Sequence, residues 1–417
     1  MQISLRSTWR RVLFVTVALA CAVAYSFFAV RAFKAHHIAT RMTPEALRLA
    51  AQLEPGNSEY HHQLGLLSLF VDQDAHTAAP HYRAAVALNP HMAKYWLDLA
   101  EAYNTLGDLQ SQADAVKHAI DAEPTRPAIA WEAANLYLVQ GNTSDALHLL
   151  RVVLSNDGQP YTLRALDASW RATHDADLIM REVLPADPAM YATFLQLLIE
   201  QDRPDDALKV WKGLTSLAKN FDPKLVFPYV DYEIRGRRVE SAAQVWNYLL
   251  KMDPDTPNGE PTANLLFNGG FDRDLLNGGF DWRFVPQQHV AIDLDNTEVH
   301  DGNRSLVLSF DGEPWSEAGV YHFIPVEPGR TYKFSAFEKA YELLTPSGPR
   351  FRITDVYTGA TLFESSDLLG SSVWTQISGE FTTAPETRIV KLAIVRNPAF
   401  QRISGRFWVD DVSLTKQ

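Results

Sequence analysis

The sequence predicts a multidomain chain in which an all-α helical solenoid is followed by an all-β sandwich, with one transmembrane helix at the N-terminus. Tyr103 and Gly107 recur as Tyr137 and Gly141, 34 residues later, and a fixed period of this length is typical of stacked helical hairpins. In the C-terminal third, apolar residues alternate with a period of two, as they do in strands. Residues 12–30 carry no charge and are long enough to cross a bilayer as a helix.

Composition indicates a folded protein that does not bind nucleic acid. Of the 417 residues, 46% are hydrophobic and 21% are charged, which is ordinary for globular domains. The net charge is −12 although residues 1–41 hold six basic and no acidic residues, so the remainder lacks the concentrated basic face that nucleic acid requires. Cys21 is the only cysteine, and a body without thiols suits an oxidising compartment.

The uncharged run at 12–30 is predicted to be an uncleaved signal-anchor. Its 19 residues span about 28 Å at a helical rise of about 1.5 Å per residue, close to the thickness of the bilayer's hydrocarbon core. The stretch Ala22-Val23-Ala24 also fits a signal-peptidase site, and the residues before Cys21 loosely fit a lipoprotein site. Cleavage and lipidation therefore remain alternatives.

The orientation of this segment follows from its short tail. Basic residues flank the run on both sides, so the positive-inside rule barely discriminates. The tail at 1–11 contains the adjacent Arg10 and Arg11, which favours a cytoplasmic N-terminus. We therefore predict a single-pass protein of the bacterial inner membrane, with the bulk of the chain in the periplasm.

Residues 43–254 are predicted to form about six helical hairpins. Small residues allow the two helices of a hairpin to approach, large residues fill the remaining space, and proline ends the second helix. The clearest unit has these residue types at Trp96, Leu99, Tyr103, Gly107, Ala119 and Pro124. The pattern resembles the tetratricopeptide repeat (TPR). The unit between Leu64 and Pro90 is one residue longer than 34, and we place the extra residue in the turn at 72–74.

The resemblance to TPR proteins implies a concave surface that binds an extended segment of a protein partner. The residues at the corresponding positions are Leu97, Glu101, Trp131, Asn135 and Leu138. Chaperone-binding relatives hold a peptide carboxylate with lysine and asparagine, and Leu97 and Glu101 occupy two of those positions. That class of partner is therefore disfavoured.

Residues 255–263 are predicted to be a linker, because proline and glycine are frequent in this stretch. Downstream, the pattern predicts short strands separated by turns, with no helix between them. The clearest strands are 305–310, 331–337, 389–395 and 406–409. Many short strands in succession are typical of an antiparallel sandwich.

Five segments of this region carry a more specific signal. They are 264–272, 302–306, 326–332, 374–381 and 407–414, of which the first reads Asn-Leu-Leu-Phe-Asn-Gly-Gly-Phe-Asp. In this order they resemble a carbohydrate-binding module of the galactose-binding-like jelly-roll group, similar to families 4, 9 and 22. The resemblance covers residues 264–417 and implies a jelly-roll fold.

The same resemblance implies a structural calcium ion that joins the two ends of the module. Asp272 and Asp410 stand at the positions of the family's ligands, with backbone oxygens near Gly270 and Arg304 to complete the shell. Hard oxygen ligands suit calcium. Asp411 can take the place of Asp410, and a pair of solvated carboxylates is the alternative to a metal site.

Glycan binding is also implied by the resemblance, because such modules stack sugar rings on exposed aromatic side chains. The candidates outside the clearest strands are Trp282, Trp315, Tyr341 and Tyr357. Trp374 and Trp408 lie inside the family's motifs and are assigned to the core. Jelly rolls also act as protein-binding or spacer domains.

We expect no enzymatic activity. A hydrolase needs paired carboxylates in a cleft or a nucleophile with its base, and no Gly-x-Ser-x-Gly, phosphate loop or His-Glu-x-x-His occurs. The adjacent pairs His36-His37 and His61-His62 point in different directions on a helix, so we interpret them as surface residues rather than metal ligands.

The sequence as a whole favours a membrane-anchored, non-enzymatic scaffold. Its TPR array would bind a protein partner and its C-terminal module would bind glycan, in exopolysaccharide or cell-envelope assembly or export. The alternative is a protein-only adaptor for envelope complexes whose jelly roll binds no sugar.

Overall fold

A computed structural model describes residues 8–156, 159–252 and 264–417. The predicted linker at 255–263 and most of the predicted tail at 1–11 lie outside these residues. The chain forms two compact units, of which the first comprises Met1–Leu197 with Pro204–Leu217 and the second comprises Leu198–Arg203 with Ala218–Gln417. The last helical hairpin thus groups with the C-terminal β-sandwich, although it lies in the region predicted to form one repeat array.

The first unit is built from helical hairpins. The successive pairs are α1 (Thr8–Ala39) with α2 (Pro44–Leu53), α3 (Ser58–Leu66) with α4 (Ala75–Leu88), α5 (Ala93–Leu106) with α6 (Leu109–Ala122), α7 (Pro127–Val139) with α8 (Thr143–Ser155), and α9 (Thr162–Thr173) with α10 (Ala176–Glu182). Two further helices follow: α11 (Pro188–Glu200), whose last three residues group with the second unit, and α12 (Pro204–Ser216).

The hairpin of α5 and α6 shows why the repeat pattern folds in this way. Gly107 ends α5 in the left-handed conformation with φ of 74°, which glycine adopts without steric cost. The side chain of Asp108 then accepts a hydrogen bond from the backbone N–H of Ser111 and so caps α6. Ala100 and Ala119 are fully buried, as close helix packing requires. The TPR-type solenoid is confirmed.

The extra residue of the second repeat lies in a helix and not in the turn at 72–74. Residues Leu67–Val71 form a single π-helical turn that continues α3, closed by the N–H of Asp72 donating to the carbonyl of Leu67 at 3.0 Å. A π turn absorbs one inserted residue without breaking the helix. The predicted position was therefore wrong by a few residues.

The apolar N-terminal helix extends further than predicted. Arg11–Ala39 has a mean hydropathy of 2.3 over its most apolar stretch, none of which is buried, so by length and composition it can cross a membrane or act as a signal sequence. The C-terminal turns of α1 belong to the first hairpin, because Ala35 and Ala39 are buried against Leu47. The side chain of Arg31 donates to the carbonyl of Leu53 at the end of α2.

The C-terminal β-sandwich has two five-stranded antiparallel sheets. Sheet I has the order β1-β4-β9-β6-β7 and sheet II the order β2-β3-β10-β5-β8. The strands are β1 (Arg283–Phe284), β2 (Val290–Asp295), β3 (Ser305–Trp315), β4 (Glu317–Pro325), β5 (Thr331–Leu344), β6 (Pro349–Asp355), β7 (Thr361–Glu364), β8 (Gly370–Thr382), β9 (Ile389–Arg396) and β10 (Gln401–Lys416). The predicted strands are confirmed, and each extends further than its pattern indicated.

The two ends of the sandwich are joined as the motif order implied. The N–H of Val412 donates to the carbonyl of Gly269 at 2.9 Å, and the side chain of Asn264 accepts from the N–H of Leu414 at 2.9 Å. A Cβ at Gly269 would lie 2.1 Å from the Val412 carbonyl oxygen, so the close approach of the two segments requires glycine.

The last hairpin, α13 (Phe227–Arg235) with α14 (Val239–Met252), packs against the sandwich within the second unit. The ring of Trp246 lies edge-on to Phe267, with centroids 5.5 Å apart, and to Phe280 at 6.3 Å. Arg283 donates to the carboxylate of Asp231 on α13. Apolar packing against the segment before β1 and an ion pair to β1 therefore hold this hairpin on the sandwich.

Candidate functional site

The face of sheet I that is turned away from the core, here named the sheet I face, carries one row of in-register side chains. Neighbouring strands pair Arg283 with Tyr321, Tyr321 with Ala393, Ala393 with Arg352, and Arg352 with Glu364. Residues paired across neighbouring strands share a face, and the alternate residues of these strands form the core. The small side chain of Ala393 thus lies between Tyr321 and Arg352 in this row.

A second row adds another aromatic side chain to the sheet I face. Phe323 pairs with Lys391, and the ring centroids of Tyr321 and Phe323 are 5.3 Å apart. The ammonium nitrogen of Lys391 lies 4.9 Å from the centroid of Tyr321, and the guanidinium carbon of Arg283 lies 5.0 Å from that of Phe323. Two half-buried rings are therefore flanked by hydrogen-bond donors.

Hydrogen bonds fix the charged side chains at the β7 edge of the sheet I face. Glu364 accepts from Arg352 Nε at 2.7 Å and from Arg350 Nη1 at 3.1 Å. Partial burial raises the pKa of Glu364, but the hydrogen bonds from Arg352, Asn397 and Arg350 outweigh this effect and hold the pKa below its usual value. The carboxylate is therefore an ionised acceptor that keeps both guanidinium groups in place.

A cleft of about 760 Å³ lies where α13 meets sheet I and the connection between β6 and β7; it is here named the α13 cleft. Its floor includes Phe323 and Arg283, and its wall includes Asp231, Arg235 and other residues of the hairpin. The complete lining is Lys224, Phe227, Pro228, Asp231, Ile234, Arg235, Asn277, Gly278, Arg283, Phe323, Val356 and Tyr357. Volumes of this size are typical of small-molecule or oligomer subsites.

Two of the predicted glycan-stacking residues belong to the core. Trp282 is 0% exposed and Trp315 is 5% exposed, so neither can stack on a sugar, and this part of the prediction was wrong. The Trp282 ring lies 5.0 Å from that of Phe271, and its Nε1 donates to the carbonyl of Asn268 at 3.0 Å. Trp282 directly precedes β1 and Trp315 is the last residue of β3, and at such positions sequence patterns do not reveal which face a side chain takes.

The other two predicted residues remain accessible but lie on different sides of the sandwich. Tyr341 is 55% exposed near the end of β5 in sheet II. Tyr357 is half-buried in the α13 cleft, where its hydroxyl donates to the carbonyl of Ile234 at 2.6 Å. The prediction missed Tyr321 and Phe323, although the alternation of aromatic residues along β4 was a usable signal.

The residues predicted to bind calcium meet around the loop at 300–304. Asp272 Oδ1 accepts from the N–H of Asn303 at 2.6 Å, and Arg304 donates to the carbonyl of Asp272. Asp410 is fully buried, and its Oδ2 accepts from the N–H of His300 at 2.9 Å. Burial raises the pKa of Asp410. The structure thus joins both ends of the module through this loop.

An oxygen-rich position lies beside Gly270. A Cβ built on Gly270 would lie 3.8 Å from Asp272 Oδ2 and 3.8 Å from Asp411 Oδ1. Both oxygens of Asp410 accept backbone hydrogen bonds, which leaves Asp411 as the closing-strand carboxylate at this position. Among the described residues, no group of three or more His, Cys, Asp or Glu side chains is arranged to hold a metal ion, so any ion there would depend on backbone oxygens as well.

The predicted partner-binding residues of the repeat array are not equally accessible. Leu97 is 2% exposed, so it packs in the interior and its assignment as a contact was wrong. Glu101, Trp131, Asn135 and Leu138 are half-buried. Asn135 Nδ2 donates to the carbonyl of Trp131 at 2.8 Å, one turn earlier in α7.

A charge network that the sequence analysis missed connects three successive hairpins. His62 on α3 lies 2.6 Å from Asp98 on α5, measured from Nε2 to Oδ2. Lys94 contacts Asp98 at 3.1 Å and Glu132 on α7 at 2.8 Å. His62 is 8% exposed, so its assignment to the surface was wrong: the partner that explains its burial lies 36 residues away in the sequence.

Comparison with known families agrees with both predicted resemblances. Residues 263–399 match the family model described as carbohydrate binding domain, and residues 67–127 match the model described as tetratricopeptide repeat. The chain therefore combines repeats of a type that mediates protein interactions with a module of a type that binds carbohydrate. A comparison with curated protein sequences found no significant match.

Several solved structures resemble parts of the chain. A carbohydrate-binding module described as CBM4 is 17% identical, with 36% of this chain and 99% of that chain covered and a TM-score of 0.28. The CBM22-1 xylan-binding domain of Paenibacillus barcinonensis Xyn10C is 14% identical, covering 36% of this chain and 91% of its own, with a TM-score of 0.26. Pseudomonas aeruginosa pilF is 13% identical over 48% of this chain and 92% of its own, with a TM-score of 0.28.

Proposed function

We propose that this chain is a membrane-anchored, non-enzymatic scaffold whose sheet I face binds a polysaccharide and whose helical array binds a protein partner. The observation that carries the glycan proposal is the row Arg283, Tyr321, Ala393, Arg352 and Glu364 across sheet I. Saccharides present apolar ring faces and polar hydroxyl edges, so a binding surface needs aromatic rings beside fixed donors and acceptors. The sheet I face has both.

The test compares two tyrosines on opposite sheets. Affinity electrophoresis of the full-length protein in detergent, through gels that contain a panel of neutral and acidic polysaccharides, measures retention directly. We expect Tyr321→Ala to weaken retention about tenfold, which corresponds to about 1.4 kcal/mol. Tyr341→Ala, at the exposed tyrosine on sheet II, should leave retention unchanged.

Other outcomes reject the proposal. Equal losses in both variants would mean that the sheet I face is not the binding surface. If no polysaccharide in the panel is retained, the glycan proposal fails, and the protein-only adaptor for envelope complexes becomes the better hypothesis.

Calcium is proposed as a structural ion beside Gly270. The support is the donor set: Asp272 Oδ2 and Asp411 Oδ1 flank one point, and within the described residues neither oxygen accepts a hydrogen bond. Two carboxylates that converge in this way repel each other unless a cation lies between them, and calcium prefers such oxygen ligands. A bound ion would tie the opening segment to β10 and stabilise the module.

A thermal unfolding series tests this ion. At a calcium concentration of about one hundred times Kd, the ion should add about 2.7 kcal/mol to the free energy of unfolding, and a chelator should remove that gain. Asp272→Ala should abolish the response, whereas Asp293→Ala, at an exposed aspartate of β2, should retain it. A chelator response that survives in Asp272→Ala would refute the site.

The proposed location is the periplasmic side of the bacterial inner membrane, in exopolysaccharide or cell-envelope assembly or export. The length and hydropathy of α1 support an anchor, and the packing of Ala35 and Ala39 against α2 supports a direct connection between anchor and repeats. A periplasm-specific reporter fused after Gln417 should be active. Activity of a cytoplasm-specific reporter at the same position would contradict the topology.

A further inference from the structure

We propose that the α13 cleft is a subsite that selects polysaccharides bearing carboxylate groups, such as chains of uronic acids. This inference rests on the proposed glycan function and specifies the chemical class of the ligand. It assigns a role in recognition to the last helical hairpin, which is outside the residues matched by the carbohydrate binding domain. The carrying observation is the juxtaposition of Lys224, Arg235 and Arg283 around one cleft.

The cleft is continuous with the sheet I face. Arg283 belongs to the in-register row with Tyr321 and also lines the cleft. Phe323 lies beside Tyr321, with ring centroids 5.3 Å apart, and forms part of the same cleft lining. A polysaccharide that lies along the sheet I face can therefore extend into the cleft without leaving the surface of the sandwich.

The charge of the cleft favours an anionic ligand. Its lining contains three cationic side chains and one carboxylate, Asp231, and Asp231 is paired with Arg283. Lys224 and Arg235 are exposed, and neither forms an ion pair with a described residue. In a chain of net charge −12, an uncompensated pair of cations in a concave site attracts carboxylates over the Debye length of about 8 Å at physiological salt.

The wall of the cleft is held in place before any ligand binds. The hydroxyl of Tyr357 donates to the carbonyl of Ile234 on α13 at 2.6 Å, and the guanidinium carbon of Arg237 lies 5.0 Å from the Tyr357 ring centroid. The close approach of the hairpin to the loop before β1 requires Gly278 and Gly279. A preorganised wall reduces the entropy that a ligand must lose on binding.

The experiment uses matched polysaccharides that differ only in charge. Polygalacturonate, polymannuronate and hyaluronan are each compared with the same polymer after chemical reduction of its carboxyl groups to alcohols, in affinity electrophoresis with the full-length protein. We expect at least one acidic polymer to bind about tenfold more tightly than its reduced form at low salt, and the preference to decrease as sodium chloride is added.

Two double variants test which residues cause the preference for the acidic polymer. The double variant Lys224→Ala/Arg235→Ala should lose the preference for the acidic polymer and keep its affinity for the reduced form. The control Lys333→Ala/Arg406→Ala removes two exposed cations from sheet II and should keep the preference.

Each contrary outcome has a distinct meaning. If polysaccharide is retained but the acidic and reduced forms bind equally, the cleft proposal is overturned and the proposed glycan function stands. The cleft proposal is also overturned if the preference survives in the Lys224→Ala/Arg235→Ala variant, or if the control variant loses it equally. If no polymer of any kind is retained, the glycan function itself fails.

Discussion

The contact between Trp246 on α14 and Gly279 before β1 gives the sharpest test of whether the last hairpin and the sandwich fold as one unit. Gly279 has φ of 59°, and a Cβ built there would lie 2.1 Å from Cζ3 of the Trp246 ring. The ring has little room to move, because it is buried between Phe227 at 6.1 Å and Phe280 at 6.3 Å, measured between centroids. Gly279→Ala should therefore be strongly destabilising.

The expected loss of stability in Gly279→Ala has two parts. A non-glycine residue in the left-handed region costs about 1 kcal/mol, and forcing a methyl group into a packed interface costs about 1–3 kcal/mol. We therefore expect the free energy of unfolding of the second unit to fall by about 2–4 kcal/mol. Gly359→Ala is the matched control, because Gly359 has φ of 72° with nothing within 4 Å of the added Cβ, so it should cost only the backbone part.

The assay is urea unfolding followed by hydrogen-exchange mass spectrometry of peptides from residues 264–417, which separates the second unit from the first. The midpoint should shift to lower urea while the slope stays constant. If Gly279→Ala costs no more than Gly359→Ala, Trp246 does not pack against Gly279 in the folded protein. The assignment of α13 as the wall of the cleft would then be wrong as well.

Two further predictions concern single buried positions. Gly65→Ala should lower the stability of the first unit by about 1–3 kcal/mol, because the new Cβ would lie 2.6 Å from the buried ring of Tyr82. The control Gly56→Ala places its Cβ in open space and should be neutral. If urea unfolding shows equal effects for both variants, the packing of Gly65 against Tyr82 is contradicted. Burial lowers the pKa of His322 to about 4 from 6.5. The unfolded chain then binds more protons than the folded chain, so the free energy of unfolding should fall by roughly 3 kcal/mol as pH drops from 6.5 to 4. His322→Gln should reduce this dependence of stability on pH. An unchanged slope in the variant would assign the acid sensitivity to other groups.

Local periodicity made the helical array predictable. The 34-residue repeat depends on residues that contact neighbours within one hairpin, such as Ala100 and Ala119, so the pattern is visible along the chain. The π turn at Leu67–Val71 was not visible, because an inserted residue leaves the same sequence spacing whether a loop or a helix absorbs it. Structure alone distinguishes the two.

The candidate site was predicted less well than the fold. The resemblance to a carbohydrate-binding module identified the right domain. Trp282 and Trp315 are aromatic and lie outside the clearest predicted strands, yet both belong to the core. Tyr321 and Arg352 form one row only because β9 lies between β4 and β6, and this strand order is a property of the folded sheet. Arg235 and Arg283, which lie far apart in the sequence, line one cleft only because the hairpin packs against the sandwich.

The sequence by itself determined the order of the parts: an apolar N-terminal helix, a TPR-type array and a jelly roll, because period, hydropathy and turn residues are local properties of the chain. The tertiary structure decided where these parts join and which side chains share a surface. It assigned the last hairpin to the sandwich through Trp246 and Gly279, since such packing depends on shape complementarity between residues distant in sequence. The same packing created the cleft whose charge the sequence could not reveal.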